Sequence, residues 1–285
     1  MDHVTAQSAL SQPKARHNWA RLGESENIHA RLAINETTRR EAYALRHDGY
    51  LSHGYIDARP DGLFSDKYDE YANSKTIVVY KNFVPAGSVR VCVFDPSSKA
   101  YGADQIPAAD IFRKEILELL RGLRPGGQMG RAVEITRLTR HPDFASDNEI
   151  VSALFRIAGY LVLEAQADAV LSAVRPNHAK FYRRMGFQKI EEPREYPGLN
   201  FLTGLMACFL RNYEGVKQSV SILEAVSLED DAYAALNRGD LISVFPKAPT
   251  FDQTPNQAGI MVGPGLNANR SMPNLAEVMH APSFA

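Results

Sequence analysis

The run Ala169-Val-Leu-Ser-Ala-Val174 passes directly into Arg175-Pro-Asn-His-Ala-Lys-Phe-Tyr-Arg-Arg-Met-Gly-Phe187, and no other stretch constrains the fold as tightly. The first six residues are almost wholly apolar and read as a buried strand. Residues 179–185 read as a short helix, which Gly186 ends. Phe187 then opens a second strand, predicted over 187–191. A strand, a short helix bearing Tyr182 and another strand in such quick succession point to an α/β layer arrangement.

The rest of the chain extends this pattern. Residues 1–29 are polar, hold Pro13 and show no clean periodicity, so a loose N-terminal arm is expected. A first helix is predicted from Asn35, a good N-cap residue, to residue 49. Arg39, Tyr43, Arg46 and Tyr50 recur along it at helical spacing and share a face. A loop rich in Gly, Asp and Pro follows over 52–66. Residues 76–80 and 87–95 read as a hairpin, turning around Asn82 and Pro85-Ala-Gly87. A helix over 107–124, a strand over 131–140 and a long helix over 148–167 come next, with Ile150, Leu154, Ala158 and Leu161 on one side of the last. A final apolar strand is predicted at 201–210. The expected fold is a mixed central sheet flanked by helices, in a domain spanning 30–215. A helical extension is expected over 216–245, with its helix at 228–237, and a Pro-, Gly-, Asn- and Ser-rich tail over 246–285.

The 285 residues suffice for one large domain or two small ones. Hydrophobic residues make up 45% and charged ones 23%, a globular balance. A net charge of −1 gives no overall pull toward nucleic acid or an acidic membrane. Cys92 and Cys208 both lie in apolar runs, so they read as buried small hydrophobes rather than a disulfide or a nucleophile. The first residues lack a basic segment followed by an apolar one. The longest apolar run, 201–210, is half of the about 20 residues that cross a bilayer. A cytoplasmic location is expected.

Several residue clusters can carry chemistry. Glu134 falls inside the strand predicted at 131–140. A buried strand glutamate must be paired or hydrated, so it is a candidate base. Arg137 is three residues on and faces the opposite side of an ideal strand. The two serve one site only if the strand bulges; otherwise they belong to separate structural ion pairs. Asp66 and Asp69 form an acidic cluster with no histidine at ligand spacing and no calcium-loop pattern, so no metal is expected. Pairing with Arg46 and Arg90 is expected instead, either to hold the charged ends of a substrate or to lock helix to sheet.

In order, Arg46-x-x-x-Tyr50, Asp66-x-x-Asp69, Gly87-x-x-Arg90 and Glu134-x-x-Arg137 resemble the signature of acyl-homoserine-lactone synthases. With the segment Asn177–Phe187 included, the chain resembles still more their relatives, the FeeM-type N-acyl amino acid synthases, over roughly residues 30–213. That segment is also similar to the C-terminal half of the GNAT-type N-acyltransferase fold, whose tyrosine faces the sulfur of a thioester donor. The resemblance implies this fold, a long-chain acyl group delivered on acyl carrier protein, no further cofactor, and an amino acid or its lactone as acceptor. It implies Glu134 and Tyr182 as the catalytic pair, with Tyr182 serving the leaving thiol. Arg46, Tyr50, Asp66, Asp69, Arg90 and Arg137 would hold the acceptor. On spacing alone, Tyr182 reads equally as a core tyrosine beside Phe181.

Two departures sharpen these expectations. The lactone synthases carry a tryptophan soon after the first motif; here the segment is Leu51-Ser-His-Gly-Tyr-Ile56, and the single tryptophan is Trp19. Coenzyme A enzymes of this fold cradle pyrophosphate in a Gly-rich loop after the central strand. The corresponding segment, Arg140-His-Pro-Asp-Phe-Ala-Ser-Asp-Asn148, has no glycine, and Gly126-Gly127-x-x-Gly130 precedes the strand. Acyl carrier protein therefore fits better than coenzyme A. Such carriers are acidic, and the basic cluster of Arg175, Lys180, Arg183 and Arg184 is the expected dock, a plain solvated face being the alternative. An apolar cleft for the chain is expected from the long helix and residues 201–210. Contact with a membrane is expected only through the lipid product. A lactone synthase, a coenzyme A-dependent N-acetyltransferase and a non-catalytic binding module on the same fold remain the alternatives.

Overall fold

The computed structural model describes residues 27–196, 198–212 and 231–245; most of the expected N-terminal arm, residues 216–230 and the tail over 246–285 lie outside them. Among the described residues one mixed sheet is built in the order β6-β8-β5-β4-β3-β2-β1-β9. Its strands are β1 (Ile28–Leu32), β2 (Ser74–Lys81), β3 (Val84–Phe94), β4 (Ala132–Arg140), β5 (Ala169–Val174), β6 (Gln188–Lys189), β8 (Leu202–Phe209) and β9 (Ile242–Ser243). A short β7 (Arg194–Glu195) pairs with β8 off this path. The helices are α1 (Glu36–Leu51), α2 (Ala109–Arg121), α3 (Asn148–Glu164), α4 (Ala179–Arg184) and α5 (Asp231–Asn237).

Three strands escape the sequence reading: β1, β7 and β9. Ile28–Leu32 spans the expected arm boundary yet is a full strand, antiparallel to β2. The C-terminal segment adds more than a helix, because its β9 pairs with β1. The hairpin turns at Asn82 and Phe83, both with positive φ (51° and 64°), and β3 already begins at Val84. Two consecutive positive-φ residues match the twist of the flanking strands.

Helix starts follow local chemistry. Asn35 caps α1 by accepting from the Thr38 N–H at 2.9 Å. Asp147 caps α3 by accepting from the Glu149 N–H at 3.0 Å.

The sheet has two dissimilar faces. On one, Val89, Val91, Val133, Ile135 and Val170 pack with Ile150, Leu154 and Ile157 of α3, and the rings of Phe181 and Tyr182 in α4 join this core. On the other, Cys92, Phe94, Ala132, Leu171 and Leu205 pack on Phe112, Ile116 and Leu120 of α2. Val78 and Tyr80 meet Ala42 and Leu45 of α1 on that same side. Strand alternation puts Arg90 and Glu134 on the α1/α2 face, since Cys92 is the cross-strand partner of Glu134.

Helix α1 sits hard against β4. A Cβ on Gly49 would come within 2.2 Å of Thr139 Oγ1 and 2.9 Å of the Arg140 carbonyl oxygen. Glycine is a poor helix residue by about 1 kcal/mol relative to alanine, so its presence here is a packing requirement. Gly49→Ala is expected to lower stability in urea unfolding by about 1–3 kcal/mol, because overpacking against backbone outweighs the gain in helix propensity. Gly122→Ala, at a helix end with nothing within 4 Å of the added Cβ, should change it by less than about 0.5 kcal/mol.

Candidate active site

The sheet opens at its centre. β4 and β5 are the parallel pair, and they hold register only from Ala132↔Ala169 to Glu134↔Leu171. Beyond that point β5 pairs only with β8. One side chain spans the opening: Ser172 Oγ donates to the Ile135 carbonyl at 3.0 Å. The gap is a cavity of about 590 Å³, its open mouth included, lined by Tyr50, residues 135–138 of β4, residues 172–175, His178, Tyr182, Tyr196, Leu199, Phe201 and Thr203.

Arg137 borders this gap through a bulge. The β3–β4 register shifts between Ser88↔Thr139 and Arg90↔Thr136, so two β4 residues oppose Val89. Arg137 takes φ 53°, the left-handed region, within the bulge. Its guanidinium thereby reaches the α1/α2 face and donates to Asp66 Oδ2 from Nε at 3.1 Å and Nη2 at 2.7 Å. The condition set by the Glu134-x-x-Arg137 spacing is met, and both residues serve one face.

Asp66 also receives Arg90, at 2.6 and 3.1 Å. Asp69 receives Arg46 Nη1 with both oxygens, at 2.8 and 2.9 Å, and lies 3.0 Å from Arg90 Nη1. Asp66 and Asp69 cap their own turn reciprocally. Burial alone would raise the Asp66 carboxyl, but the charges and hydrogen bonds of Arg90 and Arg137 hold it well below the usual carboxylate range. Asp69 is likewise held down, burial being outweighed by Arg46 and Arg90.

This network corrects the expected acceptor set. Arg46 and Arg90 are wholly buried and their guanidinium groups are taken by Asp66, Asp69 and Thr76. They lock helix to sheet and have no contact with the gap. Asp69 is as deeply buried as its partners, and Asp66 is occupied by two arginines. Tyr50 and Arg137 do line the gap. Arg137 is enclosed by rings, with Phe64 at 4.9 Å, Tyr50 at 5.8 Å and Tyr196 at 5.8 Å.

Glu134 is fully buried just behind the gap rather than on its wall. Oε2 accepts from the Ala108 N–H at 2.9 Å, while Oε1 has no protein partner. Burial pushes its carboxyl up to about 7, with the Ala108 hydrogen bond and the charges of Arg90 and Arg137 limiting the rise. Tyr196 is linked to both places: it lines the gap, feels the Glu134 charge and has a buried hydroxyl with no protein partner.

Tyr182 belongs to the core and also borders the gap. Its ring packs edge-on to Phe155, Phe181 and Phe187 in the core. Its side chain also lines the gap, with Ser172 as hydrogen-bonding neighbour. Burial raises the phenol above its ordinary value, so it keeps its proton at neutral pH. It lies on the α3 face, opposite Glu134 and Arg137, so the gap joins the two faces.

The basic cluster divides. Lys180, Arg183 and Arg184 are exposed on α4. Arg175 is half-buried in the gap wall, its guanidinium 4.3 Å from the Tyr55 ring centre and 5.3 Å from that of Phe201. The expected apolar cleft is lined by Ile135, Leu138, Val174, Leu199 and Phe201, whereas α3 fills the core and does not line it. Ser172 and Tyr196 were not among the expected site residues, whereas Phe201 begins the run expected to line a cleft. Only Ser172 left a signal, as the one hydroxyl in an apolar strand. Among the described residues no three His, Cys, Asp or Glu side chains are grouped to hold a metal ion, and no helix is long and apolar enough to cross a membrane.

Glu134→Gln isolates the cost of the buried carboxylate. A raised acid contributes stability that is fully present below its unfolded value, about 4.3, and lost as pH rises through its folded value, about 7. Denaturant curves should show the variant and wild type nearly equal at pH 4. The variant should become more stable by on the order of 3–4 kcal/mol at pH 8. A pH-independent difference would contradict a strained Glu134 carboxylate.

Comparison with known proteins identifies the family and the fold. The family model described as N-acyl amino acid synthase FeeM matches residues 41–208. The structure of FeeM, an N-acyl amino acid synthase from uncultured soil microbes, superposes with a TM-score of 0.54 at 18% identity, covering 70% of this chain and 98% of that one. BjaI, a coenzyme A-dependent acyl-homoserine lactone synthase, gives 0.47 at 16% identity, covering 74% and 99%. The synthase LasI gives 0.44 at 12%, covering 63% and 88%. No curated protein sequence matches the chain. The fold is that of the GNAT-like N-acyltransferases, and because the matched region exceeds half of its length, the chain belongs to the FeeM family of N-acyl amino acid synthases.

Proposed function

We propose that this acyltransferase moves a fatty acyl group from acyl-acyl carrier protein to the amine of an amino acid, giving an N-acyl amino acid. The N-terminus of α3 carries the choice of donor. A helix N-terminus after the central strand is where a nucleotide pyrophosphate would sit. Here Asp147 occupies it, accepting from the Glu149 N–H, and Glu149 adds a second carboxylate. Lys81 pairs with both. A site filled by its own anions, in a segment without glycine, disfavours coenzyme A and favours a donor whose phosphopantetheine ends on a protein.

The gap supplies the steps of aminolysis. The amine must be neutral to attack, and Glu134, poised near neutrality, accepts its proton. Glu134 is set back from the gap wall, so the proton passes through an intervening hydroxyl or water; Tyr196 borders both places. The amine attacks the thioester carbonyl and the oxyanion develops beside β4. The bulge leaves backbone groups outside the ladder there, available as fixed dipoles. Collapse expels the pantetheine thiolate, and the protonated Tyr182 on the α3 face donates to it. Lys180, Arg183 and Arg184 lie on the same short helix as Tyr182, which suits them to an acidic carrier docked at the mouth.

The full-length chain should release free thiol from acyl-acyl carrier protein in the presence of an amino acid, with the N-acyl amino acid appearing by mass spectrometry. Acyl-coenzyme A should be at least tenfold poorer in kcat/KM, and the reverse order would overturn the donor assignment. Tyr182→Phe should lower kcat by about 10²-fold, the low end for general acid–base catalysis, with an unchanged circular dichroism spectrum. Reversing the charges of Lys180, Arg183 and Arg184 should raise KM for the carrier and leave the acceptor KM alone. Carrier binding without thiol release would instead favour a binding module.

A further inference from the structure

Arg175 is the guanidinium of the gap that the fold leaves without a carboxylate. The other arginines buried at the site are neutralised: Arg46 by Asp69, Arg90 by Asp66 and Asp69, and Arg137 by Asp66. Arg175 forms no ion pair among the described residues. What it has is a frame. Its side chain lies on the rings of Tyr55 and Phe201, which themselves meet edge-to-face at 4.9 Å. Nη2 donates to His178 Nε2 at 2.9 Å. Arginine has only donors, so His178 Nε2 accepts there. Stacking and one hydrogen bond fix the guanidinium plane while leaving the rest of its donor fork uncommitted.

Its placement selects the ligand. Alternation along β5 puts Leu171 with the α2 core and Val170 and Val174 with the α3 core. The next residue, Arg175, therefore turns toward the α1/α2 face, where its frame residue Tyr55 packs on Tyr50. This is the face of Glu134 and Arg137, where the amine must arrive. Tyr182, which serves the thiol, lies on the opposite face. An α-amino acid holds its carboxylate one carbon from its amine. A carrier's phosphate stands a whole pantetheine arm away from its thiol and falls outside a gap of about 590 Å³.

We propose that Arg175, framed by Tyr55, Phe201 and His178, is the residue that recognises the carboxylate of the acceptor amino acid. It takes the part expected of Arg46 and Arg90, and it is not a carrier-docking residue. The proposal rests on the amino-acid-acceptor reading above. Arg175 acts as a specificity determinant: an acceptor that presents its carboxylate to the fork is paired and aligned, whereas the corresponding amide leaves the guanidinium without an anion.

The test compares each amino acid with its amide, using the full chain and acyl-acyl carrier protein. Wild type should prefer the acid in kcat/KM. In Arg175→Gln that preference should fall at least tenfold, chiefly through a higher acceptor KM, and Arg175→Lys should recover part of it. An equal loss for acid and amide would overturn the proposal. So would a loss confined to the KM of the acyl carrier, which would place the donor's phosphate at Arg175. A second measurement holds even if no amino acid is turned over. An N-acyl amino acid should raise the melting temperature of wild type more than its methyl ester does, and Arg175→Gln should abolish the difference. An acid–ester difference that survives in Arg175→Gln, or one that is absent from wild type, would sink the assignment whatever the activity of the enzyme.

Discussion

Asp66 accepts from two arginines that arrive from different strands, and the acceptor side of the site depends on that convergence. Arg90 comes from β3 and Arg137 from the bulge of β4, while the turn that Asp66 caps presents Asp69 to Arg46 of α1. Removing one member of such a buried group strands its partners and costs about 3–5 kcal/mol. The cluster also sets the electrostatics of its neighbour. Three guanidinium groups face two carboxylates, an excess of one positive charge beside Glu134. Burial drives the Glu134 proton on, Arg90 and Arg137 pull it off, and the balance lies near 7. The buried ion pairs thus help to set the Glu134 carboxyl near neutrality, and their worth is poorly measured by stability alone.

The second organising constraint is the parting of β4 from β5. A parallel pair that ran its full length would close the sheet and separate the two faces. Because pairing ends at Glu134↔Leu171, the α1/α2 face and the α3 face communicate within one layer of backbone. Ser172 replaces the missing ladder bond with a side-chain one to Ile135 and neighbours Tyr182. One hydroxyl thereby limits how far the strands part and helps to orient the Tyr182 phenol.

Much of this was legible in the sequence, and what was missed has physical causes. Apolar periodicity marks α3, β5 and β8, and Asn35 marks the start of α1, because burial and capping act locally. The requirement for a bulge could be stated from the three-residue spacing of Glu134 and Arg137, since strand alternation is strict. Spacing could not say which arginines would be consumed by their own aspartates, because Arg46, Asp66 and Arg90 meet only once the sheet is assembled. Arg175 was grouped with Lys180, Arg183 and Arg184 by nearness in the chain. The turn at Pro176 separates them, sending Arg175 to the gap and the others to solvent. Tyr196 stands in a short connecting segment, where no periodicity reports direction.

The tip of the β2–β3 hairpin has a reach beyond its size. Asn82 and Phe83 adopt the paired left-handed conformation that, together with the register shift between Val79 and Tyr80, sets which residue of β2 opposes which of β3. That phase brings Arg90 opposite Thr76, the same threonine that Arg46 grips from α1. A slip of one residue would turn Arg90 through the sheet into the apolar α3 core and hand Val89 or Val91 to Asp66. Two residues at the outer edge of the molecule therefore act, with the bulge beside them, as an index mark for charges they never touch.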